Sequence, residues 1–172
     1  MGRLLGRIGG TFGGRDIRCD YHDGLVEGRF GGAVFGKDVR LQITGAPGGR
    51  FQLEGRYGGA VEGKDVSAEF DGSQLVGRIG GGIVGNDVSL EAGSGQVMGR
   101  VGGDAIGFDV NLEYDEAAGR LWGRLGGAFA GKDANLVLEG DFPVLVATLL
   151  AGAVVFQMHQ EQHAGSSAAG SN

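Results

Sequence analysis

From the first residue to about position 140, apolar and polar side chains alternate in short runs, a period of two that predicts half-buried β-strands. In Asp87-Val88-Ser89-Leu90-Glu91-Ala92 the apolar members share one face, and in an earlier run Leu75, Gly77 and Ile79 share the face opposite Arg78. The runs recur in a fixed frame. The pattern Gly-Arg-Φ-Gly-Gly-x-x-x-Gly-x-Asp, with Φ apolar, begins at Gly6, Gly28, Gly55, Gly77, Gly99 and Gly123, and all six copies keep every fixed residue. One strand runs through each arginine and another leaves each aspartate, so six hairpins and about twelve strands are predicted. Each copy also supplies five inward positions, from the row Leu4, Val26, Leu53, Leu75, Val97 and Leu121 to the row Tyr21, Ile43, Phe70, Ala92, Tyr114 and Leu138, all thirty apolar or aromatic.

Turn chemistry predicts how the strands pair. Asp71-Gly72 and Gly93-Ser94 fall midway between one copy's aspartate and the next copy's arginine, which suggests two-residue hairpin turns there. With those turns, Asp65 faces Arg78 and Asp87 faces Arg100, and within a copy the same arginine and aspartate face each other across the inner loop. A level row of alternating Arg and Asp then crosses every strand and closes where Asp133 meets Arg7. A parallel solenoid would instead stack like charges on each other, so the row favours an antiparallel meander. The expected fold is mainly β, a closed antiparallel barrel of about twelve strands around a buried C-terminal hydrophobic helix. At a spacing of about 4.8 Å and a tilt of about 40° such a barrel has a radius of roughly 12 Å, enough for one helix on its axis.

The run from Phe142 to Phe156 is apolar on every side, as a helix surrounded by protein should be, with Asp141 placed to cap it and Pro143 suited to its first turn. The expected organisation is a single domain over 1–163, with repeats in 1–140, the central helix in 141–163 and a disordered tail in 164–172. At fifteen residues the apolar run is shorter than the roughly twenty of a membrane span.

Thirty-nine glycines would suggest a low-complexity chain, but twenty-four of them belong to the repeat frame and act as structural punctuation. A net charge of −6 argues against nucleic acid as a partner. Cys19, the sole cysteine, has no internal partner, and MGRLLGRIGG lacks an apolar segment of signal-peptide length, which together point to the cytoplasm.

A twelve-stranded barrel threaded by a hydrophobic C-terminal helix resembles the tubby-like fold of tubby domains, phospholipid scramblases and LURP-one-related proteins. The LURP-one-related likeness is carried by Gly28-Arg29-Phe30-Gly31-Gly32-Ala33-Val34-Phe35-Gly36-Lys37-Asp38-Val39 and by the ending Met158-His159-Gln160-Glu161-Gln162-His163. It covers nearly the whole chain, although the copies here are unusually regular and their glycine pairs replace bulkier residues. The resemblance implies an anionic phospholipid headgroup or a protein as partner, in a monomer that sits in the cytoplasm or peripherally at a membrane. Arg15, Lys37, Lys64 and Lys132 occupy one position in four copies and would gather at one rim, as a lipid-headgroup site or as ordinary solvated charges.

Other candidates have structural readings. His159 and His163 are four apart, but HQEQH is not a zincin motif and offers no third ligand, so no metal is expected. His22 adjoins the turn Asp23-Gly24, and Cys19 falls on an inward row as a buried thiol. No catalytic constellation and no cofactor motif emerges. The two classes left are a non-catalytic binding or scaffold protein and a structural repeat protein that assembles into a β-rich filament or open sheet.

Overall fold

The computed structural model describes every residue except Ala33, Pro47, Gly82, Val84, Ala105, Ala128, Phe129 and 170–172. Twelve strands run in chain order: β1 (Gly2–Ile8), β2 (Arg15–His22), β3 (Leu25–Phe30), β4 (Lys37–Gly45), β5 (Phe51–Tyr57), β6 (Lys64–Phe70), β7 (Gln74–Gly80), β8 (Gly85–Gly93), β9 (Gln96–Gly102), β10 (Gly107–Asp115), β11 (Arg120–Leu125) and β12 (Lys132–Gly140). Every neighbour is antiparallel, and β1 pairs with β12 to close the barrel. One helix, α1 (Val144–Ala169), follows.

Within each copy the expected opposition holds, as in Arg7↔Asp16, Arg29↔Asp38 and Arg78↔Asp87. Between copies it does not. Arg78 faces Ser67 rather than Asp65, Arg100 faces Ser89 rather than Asp87, and Arg7 faces Asn135 rather than Asp133. The turns explain the shift. The β8–β9 turn is Ser94-Gly95, not Gly93-Ser94, because both central residues of this tight turn take positive φ, 53° and 74°. The β6–β7 turn centres on Gly72-Ser73, one residue beyond Asp71-Gly72.

A displacement of two residues keeps every side chain on its face. It recurs at all six joins between copies, and six steps of two residues make a stagger of twelve around the ring. A level charge row would mean zero stagger and upright strands, whereas a barrel closes on tilted ones; twelve residues over twelve strands give a tilt of about 35° and a radius of about 11 Å. The same shift apposes Arg18 with Arg29 and Arg40 with Arg56. These like charges are tolerated because Arg29 turns to Asp38, Arg56 to Asp65 and Arg40 to Glu27.

The leading glycine of each copy lies on this seam. A Cβ at Gly28 would come 2.1 Å from the Arg18 carbonyl oxygen, and at the five equivalent positions 2.0–2.5 Å from the matching carbonyl. Only glycine lets the backbones approach so closely.

The interior is a single apolar core in which α1 fills the lumen. Leu145 to Val155 are buried without a break, and the buried Thr148 hydroxyl donates to the Val144 carbonyl at 2.9 Å. Twenty-seven of the thirty expected inward positions are buried; the exceptions, Phe70, Tyr114 and exposed Ala92, all belong to the outermost row at the turn end. Phe51 and Phe108 join the core beyond those thirty.

α1 enters at the turn end, where Tyr21 meets Phe142 edge-on at 6.2 Å, and leaves at the inner-loop end, where Arg15 reaches Glu161. The Asp141 carboxylate binds the Met1 ammonium at 2.7 Å instead of the helix cap expected of it. The helix continues through the segment expected to be a tail, as far as Ala169. Propagating an existing helix is easier than nucleating one, and here the Ser167 hydroxyl donates to the His163 carbonyl at 3.2 Å. Val144–Ser167 is long and apolar enough to cross a membrane by length and composition, but two-thirds of its most apolar window is buried inside the barrel.

Candidate functional site

At the end where α1 emerges, six residues of each copy separate the apolar residue after its arginine from the residue before its aspartate, beginning for example at Gly9, Gly31 and Gly58; the outer two of the six belong to the strands in β7–β8 and β9–β10, where Gly80 pairs with Gly85 and Gly102 with Gly107. The first loop residue sits at positive φ, 88° at Gly9, which turns the chain out of its strand. The repeated arginine then clamps the loop. Arg7 donates to Asp16 at 2.6 Å and to the Thr11 carbonyl at 2.9 Å; Arg56 donates to Asp65 at 2.5 Å and to the Gly59 and Ala60 carbonyls. Arg100 and Arg124 repeat the arrangement with Asp109 and Asp133, and Arg29 and Arg78 with Asp38 and Asp87. The charge row is therefore a ring of loop clamps within copies, rather than a ladder that sets register between them. Planar guanidinium with several donors suits this task, which a lysine could not perform.

With the loops held by their stems, their tips project apolar side chains into solvent. Phe12, Val34, Phe35, Val61, Ile83 and Ile106 are between 79% and 104% exposed. They account for most of the exposed large apolar residues of the described chain, and all lie on one rim. The signal was present in the variable x-x-x of the repeat frame, whose residues are apolar more often than a solvated loop requires.

The four predicted basic residues lie just behind these tips. Arg15, Lys37, Lys64 and Lys132 pair across the sheet with Ile8, Phe30, Tyr57 and Leu125, each of which is buried. Directly opposed residues share a face, so the four cations ring the mouth on its inner side instead of radiating outward from the hairpin ends. Arg15 bonds Glu161 on the helix at 2.9 Å, and Lys37 approaches Glu62 at 3.4 Å with its side chain only 18% exposed.

Charge is divided between the two ends. Counting each copy from clamp arginine to clamp aspartate, together with Glu161, the loop half holds ten of the fifteen basic residues and nine of the twenty-one acidic ones. The turn half holds five basic and twelve acidic residues. The net charge of −6 thus conceals a loop half at +1 and a turn half at −7.

The remaining candidates fall elsewhere. Cys19 is buried in the core, and burial pushes its thiol up to about 12, which keeps it protonated and unreactive. His22 lies at the turn end, 3.9 Å from Glu27. His159 and His163 sit where α1 leaves the barrel, with His159 edge-on to Phe108 at 5.8 Å. Among the described residues no three His, Cys, Asp or Glu side chains are grouped to hold a metal. Compared with known proteins, the chain matches no family model, no curated protein and no solved structure.

Proposed function

We propose that this protein is a non-catalytic binding module of tubby-like type that docks, through its inner-loop rim, on membrane surfaces carrying anionic phospholipid. The observation that carries the reading is the coincidence on one rim of a crown of exposed apolar tips with a ring of cations one step behind them. Apolar groups gain by entering the acyl boundary, and Lys or Arg at headgroup depth adds about 1 kcal/mol each against an anionic leaflet. The acidic turn half faces away in this orientation, so the overall negative charge does not oppose docking. The assembly alternative is weakened because a closed ring offers no free strand edge for an open sheet to extend.

Sedimentation with phosphatidylcholine vesicles, with and without phosphatidylserine, tests the reading. Binding should require the anionic lipid, weaken with salt, and fall at least about tenfold in Lys64→Glu/Lys132→Glu and in Phe12→Ser/Phe35→Ser. Absence of vesicle binding, or binding that both double variants retain, would sink it.

A further inference from the structure

The six copies obey one frame, and a departure from it marks a place where something other than the frame is at work. At the inward rim position four copies carry a cation, whereas the two adjacent copies closing the ring's remaining arc carry Asn86 and Phe108. A cleft of about 750 Å³ opens at this place, between the exit of α1 and the loops of these two copies. Its floor is Val101, Phe108 and Phe156, and Ile83 and Ile106 form its lip among the crown tips. The polar groups along it are the side chains of Asn86, His159, Gln160 and His163, all able to donate a hydrogen bond, and among the described residues no carboxylate lines it. His159 Nε2 is buried there with no hydrogen-bond partner among the described residues.

We propose that this cleft binds one long-chain carboxylate, a free fatty acid, with the chain along the apolar floor and the carboxylate taken by Asn86 and the two histidines. The volume lies within the ~300–1,000 Å³ usual for small-molecule sites, and an apolar lining with a few convergent donors is their usual chemistry. A cationic frame residue at either position would place a charged head over the floor, whereas Phe108 extends the floor and Asn86 leaves a neutral donor at its edge. The absence of acidic lining residues selects an anionic head, since a buried like charge would repel it.

The experiment uses the full chain without vesicles, so that it stands apart from membrane docking. Titration with 11-dansylaminoundecanoate below its micelle concentration should give saturable fluorescence enhancement at one site per chain, displaced by palmitate. Asn86→Asp, isosteric and only partly buried, should weaken binding at least about tenfold through like-charge repulsion, and Ile83→Ser at the lip should weaken it less. Val61→Ser, at a crown tip outside the cleft, should leave fatty-acid binding unchanged while lowering vesicle binding. Non-saturable enhancement, unchanged affinity in Asn86→Asp with a wild-type melting temperature, or displacement by methyl palmitate as readily as by palmitate would overturn the assignment.

Discussion

The two ends of the barrel are built from the same strands and behave differently. At the loop end all six copies keep the same spacing from arginine to aspartate, each arginine fastens the connection to that aspartate and to loop carbonyl oxygen, and the described tips expose Phe12, Val34, Phe35, Val61, Ile83 and Ile106. At the turn end the connections vary, from the two residues of Asp23-Gly24 and Ser94-Gly95 to the longer segments between β4 and β5 and between β10 and β11, and acidic residues predominate. A hairpin joined by a tight turn needs only a residue that accepts positive φ, so the turn end is free to vary. The uniform loop end costs each copy an arginine, an aspartate and three loop glycines. Repetition of these constrained residues at one end gives all six loops the same clamped stem, on which the proposed docking rests.

Apolar residues make the contrast sharpest, because the helix hides them and the loop tips display them. Six large side chains of α1, Leu145, Val146, Leu149, Leu150, Val154 and Val155, are buried at 5% exposure or less. At about 1.5–3 kcal/mol each, their burial is as large as the whole net stability of roughly 5–15 kcal/mol expected of a domain. Truncation after Asp141 should therefore abolish the cooperative thermal transition and cause aggregation. Phe12→Ser and Val61→Ser, which remove apolar side chains already exposed to solvent, should leave the melting temperature nearly unchanged. A truncated chain that still melts cooperatively would mean that the helix is not the core.

How far the sequence foretells this molecule depends on the range of the interaction. Strand number, the inward rows and the buried helix follow from alternation and hydropathy, because burial of Leu90 or Val146 acts through each residue's own side chain. The stagger does not, because moving the turn from Gly93-Ser94 to Ser94-Gly95 shifts the register by two residues and leaves every side chain on its face, so alternation does not tell the two apart. At the site, the rim location of Arg15, Lys37, Lys64 and Lys132 follows from their shared frame position. Their inward orientation was also legible, since each immediately precedes an outward aspartate and alternation must turn it to the other face. The division of charge escaped because a net value averages over both ends. The departure at Asn86 and Phe108 is visible in the sequence as well, but only the path of α1 out of the barrel gives it a cleft.

An arginine–carboxylate pair at each end gives a finer test of the difference. Arg7 bonds Asp16 and two loop carbonyls, whereas Arg40, in the turn half at 71% side-chain exposure, bonds only Glu27 among the described residues. Exposed pairs are worth about 0.2–1 kcal/mol, and hydrogen bonds that order a loop add to that. Arg7→Gln should cost about 1 kcal/mol in urea denaturation and speed amide hydrogen exchange in the loop around Thr11. Arg40→Gln should cost less than about 0.5 kcal/mol and leave exchange at the neighbouring turn unaltered. Equal effects at the two sites would remove the distinction between clamp and ordinary surface pair.

The smallest effect is expected at the turn end, in a pH dependence. Asp71 opens the β6–β7 turn, and its carboxylate accepts hydrogen bonds from the Ser73 and Gln74 amides at 2.8 and 2.9 Å and from the Ser73 hydroxyl at 2.9 Å. These bonds favour the charged form and hold the group at about 2, below its ordinary 3.8. Because the folded value is the lower one, the unfolded chain binds more protons between the two, and stability must rise with pH across that interval. The contribution is complete above the unfolded value and is lost as pH falls through about 2. Asp71→Asn should therefore lower the melting temperature slightly near neutrality and flatten its dependence on pH between about 4 and 2, where the parent protein loses stability. Thermal melts of both proteins across that range decide it. If the two curves stay parallel down to the lowest pH, the turn does not depend on the Asp71 charge, and the tight turns hold their register through glycine geometry alone.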